Sequence, residues 1–125
     1  MAELTGKLRK AWENREGPVV FTTVNDEGIP NAIYASCVSL YDDETILVAN
    51  NYFHKTLENI KTGSAGSILF ITGDDTSYQF KGTIEYHTEG DLFEDMKTWN
   101  PSHRPGHAAA VLRIEQVYSG AEQLA

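Results

Sequence analysis

Apolar and polar positions along the chain change period several times, and each change marks an element. Leu4, Leu8, Ala11 and Trp12 recur at helical spacing with charges between them, predicting a helix from about Leu4 to Asn14. Gly17-Pro18 is expected to stop it, because proline disfavours a helical residue before it and has no backbone donor. Val19 to Val24 is β-branched and aromatic, a strand. Asn25-Asp26-Glu27-Gly28 reads as a turn, with Gly28 free to take a positive φ. Asn31 to Leu40 reads as a second strand and Tyr41-Asp42-Asp43-Glu44 as its turn. Thr45 to Ala49 is a third strand, too apolar for an exposed edge.

The period then lengthens. His54 to Lys61 carries Leu57 and Ile60 three apart, with Gly63 placed as a C-terminal cap. Ser67 to Thr72 returns to strand, and Gly73-Asp74-Asp75 turns the chain. Tyr78, Phe80, Gly82, Ile84 and Tyr86 alternate with polar residues, the period of a half-buried strand. Leu92, Phe93, Met96 and Trp99 form a further helical face. Asn100 to Gly106, with two prolines, is a loop, and Ala108 to Tyr118 a closing strand. About six antiparallel strands and three helices predict a mostly β fold, a small β-barrel with added α-helices. Without repeats or a linker-like stretch, residues 1–125 read as one domain.

Charge narrows the choice of partner. Ten Lys+Arg stand against eighteen Asp+Glu, a net charge of −8. That argues against nucleic acid, whose binding rests on basic residues, and against polybasic attachment to a membrane. Apolar runs of about five residues fall far short of the roughly 20 needed to span a bilayer. Nothing near Met1 resembles a signal core, and the single Cys37 suits a reducing compartment, so a cytoplasmic location is expected.

Chemistry concentrates in Val48-Ala49-Asn50-Asn51-Tyr52-Phe53-His54-Lys55-Thr56, where a buried strand ends in two amides and leads to a helix start. The first N–H groups of a helix lack internal partners and lie at the positive end of its dipole. A lysine ammonium and a threonine hydroxyl there suit an anion, most naturally a phosphate, with His54 as an added donor. The same pattern also suits a helix capped by Asn51 or His54, with Lys55 merely solvated.

Four segments in register make the chain recognisable. Gly28-Ile29-Pro30-Asn31-Ala32, Asp42 through Asn51, Lys55-Thr56-Leu57-Glu58-Asn59-Ile60 and Gln79 through Gly90 resemble the pyridoxamine 5′-phosphate oxidase-like family. The likeness runs from about Gly17 to Tyr118 and is strongest to the short FMN-binding split barrels of bacteria and archaea. It implies an FMN-binding split barrel that works as a homodimer, with flavin at the subunit interface and contacts from the second subunit. It places the phosphate and ribityl chain near His54, Lys55, Thr56, Asn50 and Asn51, at the end of the strand that closes with Ala49. The isoalloxazine would lie along Ala32, Ile33, Tyr34, Ala35 and Ser36, whose small residues let a flat ring approach the backbone. Tyr34 stands where relatives often have proline or a bulkier residue, and its aromatic face can pack beside a flavin.

Function then divides three ways. The resemblance favours a flavoprotein oxidoreductase passing hydride or electrons to a small substrate, with a non-enzymatic electron carrier or flavin store as the alternative. A haem- or deazaflavin-binding split barrel, with His87 or His107 as a haem ligand, is the third. No residue reads as a general acid or base. The basic residues Lys81, Lys97, Arg104 and Arg113 do not form the pattern that a pyridoxamine phosphate substrate needs. His103 and His107 lack further ligands and read as loop residues rather than a metal site. His87 reads as solvated, Cys37 as an inert thiol on a strand without a basic neighbour, and Trp12 and Trp99 as packing residues. Gly82 predicts a bend or close backbone approach, and Lys81 beside it is a candidate to face the flavin or an incoming electron donor.

Overall fold

The computed structural model describes residues 4–125. Helix α1 (Gly6–Glu13) precedes strands β1 (Arg15–Val24), β2 (Pro30–Ala35), β3 (Val38–Asp42) and β4 (Thr45–Asn50). Helix α2 (Lys55–Lys61) follows, then β5 (Ala65–Thr72), β6 (Ser77–His87), α3 (Asp91–Trp99), β7 (Ala108–Ser119) and the short β8 (Glu122–Gln123). The strands pair antiparallel in the order β2-β1-β5-β6-β7-β4-β3, with β8 added to β7. β2 and β3 end this path yet are joined by only Ser36 and Cys37, so the chain itself brings the two ends of the sheet together. The result is a mostly β split barrel with three helices, open along the β2–β3 seam.

The core fills the barrel. Val19 and Phe21 of β1, Ile46 and Val48 of β4, Ile68 of β5, Phe80 of β6 and Leu112 of β7 are all buried there. α1 closes one end: Thr5 caps it by accepting from the Leu8 N–H at 3.3 Å, and Trp12 meets the Phe70 ring edge-on at 5.3 Å. β4 is apolar throughout because both its faces are covered. Ile46 and Val48 point into the barrel, while Leu47 and Ala49 pack under Leu92 and Met96 of α3.

Two expectations need correction. α1 ends at Glu13, with Asn14 as its cap, so Gly17-Pro18 does not stop it. Those residues lie inside β1, where its pairing with β5 shifts register between Glu16 and Val20. Gly17 takes φ +69° there, and proline, having no N–H, loses nothing where the ladder is already interrupted. The stretch Asn31 to Leu40 is two strands, not one. Up to Ala35 it pairs with β1, and from Val38 with β4, so the chain turns a barrel corner at Ser36-Cys37. With β8 this raises the strand number from about six to eight.

Candidate functional site

The seam between β2 and β3 opens into a cleft of about 260 Å³. Ile33, Tyr34, Ala35, Ser36 and Cys37 form one side, and Ala49, Asn51, Tyr52, Phe53 and Arg104 complete it. β2 pairs only with β1, so the backbone groups of alternate residues on its other edge face the cleft side without a strand partner. A flat heterocycle with alternating donors and acceptors along one edge can satisfy such a strand. Small residues Ala35, Ser36 and Ala49 leave room for its approach.

A second recess of about 460 Å³ continues along the same strand, lined by Pro30 and Asn31 of β2 together with Asn25, Asp26, Lys55 and Glu58. From Asn31 of β2 to Ser36 just beyond its end the chain spans about 16 Å, so the two recesses suit an elongated ligand rather than a compact one. Ala32 is exposed between them. Local chemistry shapes this end: Asn25 Oδ1 accepts from the Glu27 and Ile29 N–H groups at 2.9 and 2.8 Å, and Gly28 takes φ +80° to close the hairpin. Asn31 donates to Thr56 Oγ1 at 3.3 Å, and Asn59 to Thr23 Oγ1 at 3.0 Å, fastening α2 to β2 and β1.

The eleven expected ligand residues therefore divide. Ile33, Tyr34, Ala35, Ser36, Ala49 and Asn51 meet at the cleft; Lys55 lies in the neighbouring recess. Thr56 is buried at 1% exposure, its hydroxyl engaged by Asn31. His54 is exposed and occupies the N-cap position of α2 without a side-chain capping bond, and Asn51 does not cap the helix either. Both asparagine amides are turned inward. Asn50 donates to the Tyr86 hydroxyl at 2.6 Å and accepts from the Phe53 N–H at 2.9 Å. Asn51 pairs with Asn100 and accepts from the Gly106 N–H at 2.9 Å.

That last contact brings residues that pattern reading passed over. The 100–106 loop is held by Asn51 at one side and by Lys97, whose ammonium donates to the carbonyls of Pro105 and Gly106 at 3.1 and 3.3 Å. It hangs Arg104 in the cleft, with Nη1 3.5 Å from Cys37 Sγ. Cys37 thus has a basic neighbour and sits at the corner between strands, contrary to expectation. Among the described residues Arg104 is the cleft's one charged lining residue, and the proline-framed loop carries no periodicity that could point to it. Tyr52 and Phe53 offered a weak signal, two large aromatics in a turn; Phe53 anchors on Phe21 at 6.1 Å, leaving Tyr52 outside.

Other candidates lie elsewhere. Gly82 is where β6 shifts register against β7, and a Cβ there would come within 1.8 Å of the Arg113 carbonyl oxygen. Lys81 faces another side of the barrel, its ammonium 4.6 Å from the Tyr118 ring centroid. His87 is not simply solvated: its Nε2 lies 2.8 Å from Glu85 Oε1. Arg113 binds both Glu85 oxygens at 3.1 Å and, with His87 second, holds that carboxyl below its usual range; the same contact raises the Arg113 guanidinium. Trp12 and Trp99 both pack on apolar clusters. Among the described residues no group of three or more His, Cys, Asp or Glu side chains is placed to hold a metal ion. Among those residues, too, no helix is long and apolar enough to cross a membrane.

The family model for pyridoxamine 5′-phosphate oxidase matches residues 4–119. The chain belongs to that family. A relative from Methanocaldococcus jannaschii, the uncharacterized protein MJ0282, is 31% identical over 95% of this chain and 82% of its own. The crystal structure of HupZ from Group A Streptococcus is 25% identical, covers 93% of each chain and superposes with a TM-score of 0.81. An FMN-binding protein from Syntrophomonas wolfei shares the fold at 21% identity and a TM-score of 0.77, over 91% of this chain and 84% of its own. The same barrel also serves an F420 reductase and HutZ, the heme storage protein of Vibrio cholerae, at 16% and 14% identity. The pyridoxamine 5′-phosphate oxidase family thus sets this chain's fold, while the ligand has to be argued from its own residues.

Proposed function

We propose that this family member binds FMN along β2 and is an oxidoreductase that passes hydride or electrons to a small substrate. The observation that carries the reading is the free edge of β2 linking a narrow cleft to a recess that holds Lys55. The donor set fits the cofactor: strand backbone for the polar edge of a ring, small residues beneath it, and an ammonium for a phosphate dianion. Bound FMN would supply the redox chemistry. The protein's part is to bind and orient it, with Arg104 contributing positive charge at the cleft. Among the described residues no Asp, Glu or His lines that cleft. That composition also supports the electron-carrier reading, which steady turnover with a defined donor and acceptor would exclude.

The working form in this reading is a homodimer. Val20 faces outward between Tyr34 on β2 and Leu69 on β5, and these two are 79% and 41% exposed. An apolar row of this kind beside the cleft suits a second copy of the chain that completes the flavin site. The test is the protein as purified: visible flavin absorption bands, uptake of added FMN, and the mass of a dimer in solution. A haem Soret band in place of flavin bands, or no uptake of FMN, overturns the cofactor assignment.

A further inference from the structure

Two aromatic side chains at the cleft are left without a partner among the described residues. Tyr34 and Tyr52, at 79% and 75% exposure, are the most exposed large apolar residues among those described. Among the described residues neither phenol has a hydrogen-bond partner and neither ring stacks on another. They come from unrelated elements, one from β2 and one from the turn between β4 and α2, yet both line the same 260 Å³ cleft. Phe53, next to Tyr52, is anchored on Phe21, so the turn is held while Tyr52 is left out. An aromatic ring buries 150–250 Å² and gains most from an offset or edge contact with another π-system. A narrow slot with small residues at its floor and two free phenols beside it is complementary to a planar ring.

We infer that Tyr34 and Tyr52 are positioning residues that stack on the isoalloxazine, an assignment that rests on the FMN reading of this cleft. Their phenols are electron-rich, so contact also quenches flavin emission: an electron passes to the excited ring and returns, with no net chemistry. The experiment is an FMN titration of the full-length protein, reading affinity and flavin emission together, for wild type and for Tyr34→Leu, Tyr52→Leu and the two Phe variants. Sedimentation fixes a concentration at which all share the wild-type mass. The expected result is dark bound FMN in the wild type and brighter bound FMN in each Leu variant, with affinity weakened about 2- to 12-fold per ring. The Phe variants are expected to keep the affinity and regain part of the emission, which separates the phenol's electronic role from mere bulk. Leu variants with wild-type affinity and emission overturn the assignment but leave FMN binding intact. A Tyr52→Leu variant that cannot be brought to the wild-type mass also overturns it, placing that phenol at a subunit contact instead of on the ring. A wild type that takes up no FMN removes both.

Discussion

Asn51 and Asn100 hold each other through both ends of their amides, each Nδ2 donating to the other's Oδ1 at 3.0 and 2.9 Å. Forty-nine residues separate the pair, so the contact is tertiary and fastens the loop after α3 to the end of β4. The Asn51 oxygen also takes the Gly106 N–H, so one side chain satisfies both ends of the loop that carries Arg104. Asn51→Ala leaves a buried amide and a buried N–H unpaired, a loss of about 1–3 kcal/mol. A correspondingly lower urea midpoint is expected at unchanged slope, with weaker FMN binding as Arg104 loosens. A variant as stable as wild type would show that the loop is held by other means.

Gly82 admits no side chain. Its Cβ would lie 1.8 Å from the Arg113 carbonyl oxygen, a backbone atom that cannot rotate away. Gly82→Ala must part β6 from β7 at the register shift and is expected to destabilise by about 3 kcal/mol, the upper end of overpacking costs. Chemical unfolding measures it. At Gly120, where nothing lies within 4 Å, alanine meets only the strain of φ +57° and provides the comparison.

These two residues show what local pattern could and could not reveal. Gly82 interrupts a clean period-2 run, so its close approach was legible from one strand alone. β4 was legible because both its faces are covered, by the barrel core and by α3, and a continuous apolar run has no other use. Gly17-Pro18 misled because a helix stop and a strand bulge need the same residues: one with a positive φ, one without an N–H. The corner at Ser36-Cys37 carries neither glycine nor proline, and only the change of partner from β1 to β4 creates it. At the cleft, residues from one strand were readable together, whereas Arg104 arrives through a loop whose placement depends on Asn51. That an asparagine would be polar was plain; that its amide would point inward was not.

The Glu85–Arg113–His87 cluster makes a prediction about acid stability. Arg113, and after it His87, holds Glu85 below the ordinary carboxylate range. Its folded pKa therefore lies under the unfolded value of about 4.3, so the contact stabilises fully above that pH and is lost as pH falls through the folded pKa. Because the Glu85 side chain is 44% exposed, solvent screening limits the contribution to at most about 1 kcal/mol. Glu85→Gln is expected to cost no more than this at neutral pH and to flatten the fall in stability below about pH 4. Unfolding curves collected across pH 3–7 test both arms, and a parallel shift at every pH would refute the linkage.

Lys55 gives the sharpest test of where the phosphate goes. It is exposed at the start of α2, in the recess that continues the cleft along β2, and it makes no ion pair among the described residues. In a chain of net charge −8, an anion needs a local source of positive potential, and the general field of the molecule works against it. Lys55→Ala is expected to weaken FMN binding by about 1–3 kcal/mol, the range for losing a charge-assisted hydrogen bond, or roughly 5- to 150-fold in Kd. Riboflavin, which carries no phosphate, provides the control: its affinity should be the same for variant and wild type. Equal losses for FMN and riboflavin would mean that Lys55 shapes the recess rather than reading the phosphate. With Lys55 on the phosphate, raising the salt concentration narrows the gap between wild type and variant for FMN alone, because screening removes only the charge contribution.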